Sequence, residues 1–151
     1  MRLALVLGVV LMAAAQPAGN SSFQHWTSAE LKSYAAKLRA EEATSKTASQ
    51  ALGNWGNHNA SIIRRAADGE AELHENFVDI FVVQDGEASV VLGGKIIEPR
   101  NTGPGEVRGK SIEGGERKDL KPGDIVRIAA NTPHQLFVPK AFLYYVIKVK
   151  Q

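Results

Sequence analysis

The spacing of apolar residues along this chain changes near residue 60. Before that point, Leu31, Tyr34, Ala35 and Leu38 fall at i, i+3, i+4 and i+7, a single stripe with helical period. Thr27-Ser28-Ala29-Glu30 sits just ahead of the stripe as a capping box, with Thr27 as N-cap and Glu30 reaching back from the third position. The pattern predicts a helix over about Ser28–Ala43, laid by its stripe on the outside of a sheet. From Ser61 onward the period falls to two. Strands are predicted at Ser61–Arg65, Ala71–His74, Val78–Gln84, Glu87–Leu92, Lys95–Glu98, Ile125–Ile128, Gln135–Val138 and Ala141–Val149. Asp85-Gly86 reads as a hairpin turn between two of them, and Gly93-Gly94 and Pro122-Gly123-Asp124 as further turns.

Two stretches fall outside this alternation. Thr44–Asn59 is polar and glycine-punctuated, with Trp55 as its anchor, and Pro99–Gly115 is a long excursion with five glycines and two prolines. In the last strand Leu143, Tyr145, Ile147 and Val149 are assigned to the inner face, because the alternate set ends in Lys148 and Lys150. Many short antiparallel strands in one domain predict an all-β jelly roll preceded by one helix.

Candidate chemistry gathers on two of these segments. Glu72-x-His74-x4-Asp79-x6-Gly86 runs from one strand into the next, and Gly123-Asp124 leads to Asn131-Thr132-Pro133-His134. Glu72 and His74, two apart, point to the same face of a strand. Asp79 amid Phe77, Val78, Ile80 and Phe81 is disfavoured by strand propensity, which argues for a ligand or hydrogen-bonding role. Imidazole and carboxylate are ligands for iron, manganese, zinc or nickel. With Asp79 inward, alternation also turns Phe81 and Val83 inward, lining an apolar pocket around a few polar groups. Metal binding requires neutral histidines and an ionised aspartate, so affinity is expected to be full above neutral pH and to fall through about 6. Glu72 is either a fourth ligand or a general base, and the sequence leaves the two open. His25 and His58 lie in the N-terminal region and are not assigned to the site.

These motifs resemble those of small single-domain cupins, whose first motif reads G-x5-H-x-H-x3,4-E-x6-G and second G-x5-P-x-G-x2-H-x3-N. Here Glu72 takes the first histidine position, His74 the second, Asp79 the glutamate position and Gly86 the closing glycine. Gly123 opens the second motif and His134 falls on its histidine, while Ala129 replaces proline, Asn131 replaces glycine and Val138 stands for asparagine. The resemblance covers about Ile62–Val149. It implies a jelly-roll barrel with a divalent metal held by His74, His134, Asp79 and Glu72. It also implies a small organic ligand or substrate in contact with Phe81, Val83 and Tyr145, with Glu72 or Tyr145 moving a proton. Family practice favours a ligand role for Glu72. Dimerisation through sheet edges is the further expectation, with the N-terminal helix or the Ser61–Arg65 strand covering an edge of the partner.

Composition adds bounds. Met1-Arg2, an apolar run of 13 residues and Ala13-Ala14-Ala15 read as a signal peptide, too short to span a bilayer, so export to a periplasm or the medium is expected. On this reading residues 16–60 form an N-terminal extension carrying the helix, and 61–151 the barrel. Removing Arg2 leaves 17 basic against 16 acidic residues, a balance that gives no reason to expect nucleic-acid binding. With no cysteine, neither a disulfide nor a thiolate ligand is available, and stability must come from the core. Two functions fit: a metal-dependent enzyme such as an oxygenase or isomerase, or a non-catalytic protein holding a small molecule in the same barrel without a metal.

Overall fold

A computed structural model describes residues 22–151; the signal-peptide reading falls outside the described residues. The helix α1 (Ser28–Ser45) begins at the expected cap. The Thr27 hydroxyl accepts from the Glu30 amide, and the Glu30 side chain accepts from the Thr27 amide, closing the box. Thirteen strands follow in chain order: β1 (Thr47–Asn54), β2 (His58–Arg65), β3 (Ala71–His74), β4 (Phe77–Gly86), β5 (Ala88–Leu92), β6 (Lys95–Ile97) and β7 (Arg100–Gly103). The chain continues through β8 (Glu106–Gly109), β9 (Ser111–Glu113), β10 (Glu116–Leu120), β11 (Ile125–Ile128), β12 (His134–Phe137) and β13 (Phe142–Lys150). They form a five-stranded sheet in the order β1-β2-β13-β4-β11 and a six-stranded sheet in the order β10-β5-β12-β3-β8-β7, with β6 and β9 paired separately. Every pairing is antiparallel.

The core lies between the two sheets. Phe81, Val83 and Val90 meet Leu136, Phe142 and Tyr144 there, and burying each large side chain contributes roughly 1.5–3 kcal/mol. A second cluster lies on the outer face of the five-stranded sheet, where Leu38, Tyr34 and Ala35 of α1 pack on Ala48, Ile62 and Leu143. The apolar stripe of α1 is therefore the face that seats it. Arg64, 8% exposed and on the same outer face, forms an ion pair with Glu42 of the helix.

The sheets depart from the sequence pattern in five places. The first is the polar stretch before Asn59, which supplies β1 and the start of β2. As an edge strand β1 needs only one covered face, which Ala48 and Leu52 provide under α1, so its other side chains stay polar. Second, Asp85-Gly86 is not a hairpin turn, because β4 and β5 belong to different sheets. Gly86 (φ 79°) turns the chain between them, where a β-carbon would lie 2.0 Å from the Ala141 carbonyl oxygen. Third, the excursion after Pro99 is ordered into β7, β8 and β9. Fourth, Ser61–Arg65 is hydrogen-bonded on both sides, to β1 and β13, so it cannot cover an edge of a partner. Fifth, β13 faces the other way: Phe142, Tyr144 and Val146 enter the inter-sheet core, and Leu143 and Tyr145 pack toward α1. No described helix is long and apolar enough to cross a membrane.

Candidate metal centre

Strand register assembles the site from four strands. On β3, Glu72 and His74 share the inner face as their spacing requires, with Glu72 opposite His134 of β12. Asp79 at the start of β4 lies opposite Ile128 on one side and Lys148 of β13 on the other. The loop before β12 is pinned by Asn131, whose amide donates to the His74 carbonyl at 2.8 Å. Asn131 has a φ of 61°, and it occupies the position where the second motif carries glycine. Asparagine is among the few side chains that tolerate this left-handed conformation, so the replacement keeps the turn.

The two imidazoles face each other with ring centroids 5.3 Å apart, each 3% exposed. His134 Nδ1 donates to the Thr132 carbonyl at 3.0 Å, which leaves Nε2 with its lone pair toward the cavity. His74 Nδ1 donates to Glu106 Oε2 at 2.7 Å, again directing Nε2 inward. Glu72 Oε2 lies 3.4 Å from His74 Nε2 and 3.9 Å from His134 Nε2, and Asp79 Oδ2 lies 3.4 Å and 3.8 Å from the same atoms. Neither buried Nε2 has a properly directed hydrogen bond. One ligand atom each from Glu72, His74 and His134 fall within 4.8 Å of one another, so the group can hold a metal ion. Metal-ligating histidines ordinarily donate their second ring N–H to a carboxylate or carbonyl, and both do so here.

Charge is balanced locally. Lys148 Nζ donates to both Asp79 oxygens, at 2.7 and 2.9 Å. Arg108 reaches Glu106 at 3.2 Å and Glu72 at 3.7 Å. Burial raises the Glu72 carboxyl, but His74 Nε2 at 3.4 Å and the Arg108 guanidinium overcome this and hold it at about 2. Burial likewise opposes ionisation of Asp79, and His74 and Lys148 outweigh it, leaving its pKa lowered. Burial also disfavours charge on His74, yet the Asp79 and Glu72 carboxylates, each 3.4 Å from its Nε2, raise it to about 9. For His134 burial prevails and lowers the pKa. Without a metal the two imidazoles are thus pushed in opposite directions, so protons are expected to compete with a metal in a different pH range at each rather than at both near 6.

The site opens into a cavity of about 100 Å³ inside the barrel. Phe81 lines it as expected. Val83 does not: it lies deeper in the core, fully packed. Tyr145 is also misplaced by the sequence pattern, since the reversed face of β13 sends it toward α1 and puts Tyr144 in the cavity. Burial pushes the Tyr144 phenol up to about 12. Alternation missed Tyr144 and Lys148, and no local signal marked Glu106, Arg108 or Arg65, which also border the site. His58 stacks on Trp55 at 4.9 Å, away from the centre. A larger groove of about 670 Å³ lies near Ser89, Arg117 and Phe137. It contains no imidazole; Arg117 is already bonded to Ser89 and stacked 4.4 Å over Phe137, so the barrel cavity is the better candidate despite its size.

In sequence the chain matches no family model and no curated protein. In structure it is similar to a cupin superfamily protein from Desulfitobacterium hafniense, with a TM-score of 0.53 and 16% identity, over 71% of this chain and 80% of that one. KdgF from Halomonas sp. is similar to the same degree, with a TM-score of 0.53 and 17% identity, over 71% of this chain and 82% of that one. DMSP lyase DddQ from Ruegeria pomeroyi aligns with a TM-score of 0.50 and 18% identity, over 69% of this chain and 47% of that one. The chain therefore has the all-β cupin fold, a jelly-roll barrel preceded by one helix.

Proposed function

We propose that this protein is a metal-binding cupin that takes a small organic molecule into its barrel. His74 and His134 hold the ion together with one or both of Glu72 and Asp79. The observation that carries the reading is the pair of buried Nε2 atoms, each aimed inward by a hydrogen bond at Nδ1 and left without a directed partner. Two histidines with carboxylate ligands and open positions suit iron, manganese, zinc or nickel. When bound, such an ion supplies Lewis acidity toward a substrate oxygen or a bound water. The chain's own groups do the rest. Glu106 and Thr132 fix the two imidazoles, Lys148 keeps Asp79 ionised, and Phe81, Val146 and Ile63 exclude water from the cavity. Glu72 is the carboxylate placed to take a proton if it is not fully engaged as a ligand. Tyr144, not Tyr145, is the phenol placed to donate a hydrogen bond there. The N-terminal leader reading adds that the protein works outside the cytoplasm.

One observation favours the non-catalytic, metal-free alternative: Lys148 already pairs with Asp79, and Arg108 lies 3.7 Å from Glu72. Elemental analysis of protein purified without a histidine tag decides between the readings. The metal reading expects about one divalent ion per chain, lost in His134→Ala and in the Glu72→Gln, Asp79→Asn double variant with the β-sheet circular dichroism retained. Metal-free parent protein that takes up none when offered would refute it.

A further inference from the structure

We propose that the barrel cavity accepts a small carboxylate-bearing molecule and that Arg65 holds its carboxylate. This deepens the reading above and rests on it for the choice of cavity. Three cationic side chains line that space, Arg65, Arg108 and Lys148. Two are committed: Lys148 to Asp79, and Arg108 to Glu106 and Glu72. Arg65 has no carboxylate within ion-pair reach among the described residues, and its Nε is buried without a hydrogen bond. An unmatched buried donor on a guanidinium is costly, and a ligand carboxylate is the group that satisfies it in planar, two-point fashion.

The surroundings fit such a ligand. Arg65 sits at the end of β2 opposite Phe142, and its side chain runs beside Gly69. A β-carbon at Gly69 would lie 2.5 Å from Arg65 Nη1, so the absence of a side chain there makes room for the guanidinium. Tyr144 lines the same cavity with a phenol that burial keeps protonated, a second donor for an anionic oxygen. Ile63, Phe81, Leu136 and Val146 form the apolar wall. A volume of about 100 Å³ corresponds to roughly three waters of liquid, which limits the ligand to a short acid. Its carboxylate would meet Arg65 and Tyr144, and its other end the histidine–carboxylate cluster. A neutral amide of the same shape could accept from the guanidinium through one oxygen only and would leave its charge unmatched.

Calorimetric titration with propionate, and with its neutral counterpart propionamide, tests this at constant ionic strength on metal-free protein and on protein given a divalent ion. Propionate is expected to bind both forms at least tenfold tighter than propionamide. Arg65→Gln should weaken propionate tenfold or more in both, and Arg65→Lys should recover part of the loss. Gly69→Ala keeps the charge but crowds the guanidinium, and should give an intermediate loss; it decides the matter if Arg65→Gln does not fold. Equal binding of propionate by the parent and the folded variants, no preference over propionamide, or no binding of either would overturn the proposal. Metal content measured on the same samples separates the two readings. Metal-free protein with Arg65-dependent propionate binding keeps the carboxylate site and removes the metal, whereas metal-loaded protein with Arg65-independent binding does the reverse.

Discussion

Replacing Lys148 by Met removes the ammonium from Asp79 while keeping an unbranched apolar stem of similar length. The contacts of 2.7 and 2.9 Å correspond to a gross attraction of about 6 kcal/mol at an effective dielectric of 20. Much of this is offset by desolvation, and deleting one partner of a buried pair costs about 3–5 kcal/mol because the other charge is stranded. The Lys148 side chain is 26% exposed, so the lower end, about 3 kcal/mol, applies. For a domain of this size that is a fall in Tm of about 10 °C, readable by thermal melts of chelator-treated protein at pH 7. Asp79→Asn on top of Lys148→Met should restore most of the loss, since no unpaired carboxylate remains. The same Lys148→Met change should raise affinity for a divalent cation, because a positive charge has left the carboxylate beside the two imidazoles. A loss below about 1 kcal/mol, or a double variant no more stable than the single, would show that the pair is screened by solvent. Weaker metal binding in Lys148→Met would refute the electrostatic part.

Three further outcomes are expected. His74 has a folded pKa of about 9 against 6.5 for the free side chain, so its contribution to metal-free stability is complete below pH 6.5 and disappears as pH rises through about 9. Chelator-treated protein should thus lose on the order of 3 kcal/mol between those limits in denaturant titrations. Metal affinity should move oppositely, rising about tenfold per pH unit until near 9, with one proton released per ion seen as a buffer dependence of the binding enthalpy. Glu72→Gln divides its two roles: weaker metal retention marks a ligand, whereas full retention with loss of turnover marks a proton-transfer group. Arg64→Ala strands Glu42 beneath α1 and should cost about 3 kcal/mol, with faster amide exchange in the helix and unchanged metal content, because Arg64 lies on the outer face.

The inner faces of β3 and β4 could be read from sequence because each motif states its own geometry. Two residues of spacing bring Glu72 and His74 to one face, and a lone aspartate among apolar residues marks Asp79. The helix was equally legible, since both its cap and its seating stripe are local. Tyr145 went wrong for the opposite reason. The alternation points Tyr145 inward only if Lys148 faces solvent, but Lys148 is drawn inward by Asp79, 69 residues away and opposite it only through strand register. A second pairing, of β3 with β8, hides Glu106 and Arg108, which stand opposite His74 and Glu72 inside a glycine-rich stretch that reads as a loop. Asn131 shows that a motif position can keep its conformation while changing its residue. One register assignment accounts for most of what the sequence concealed: once Asp79 is set against Lys148, Tyr144 must enter the barrel and Tyr145 must leave it. A charged residue on a strand with two apolar faces is therefore better assigned after its opposite charge has been sought inside the barrel.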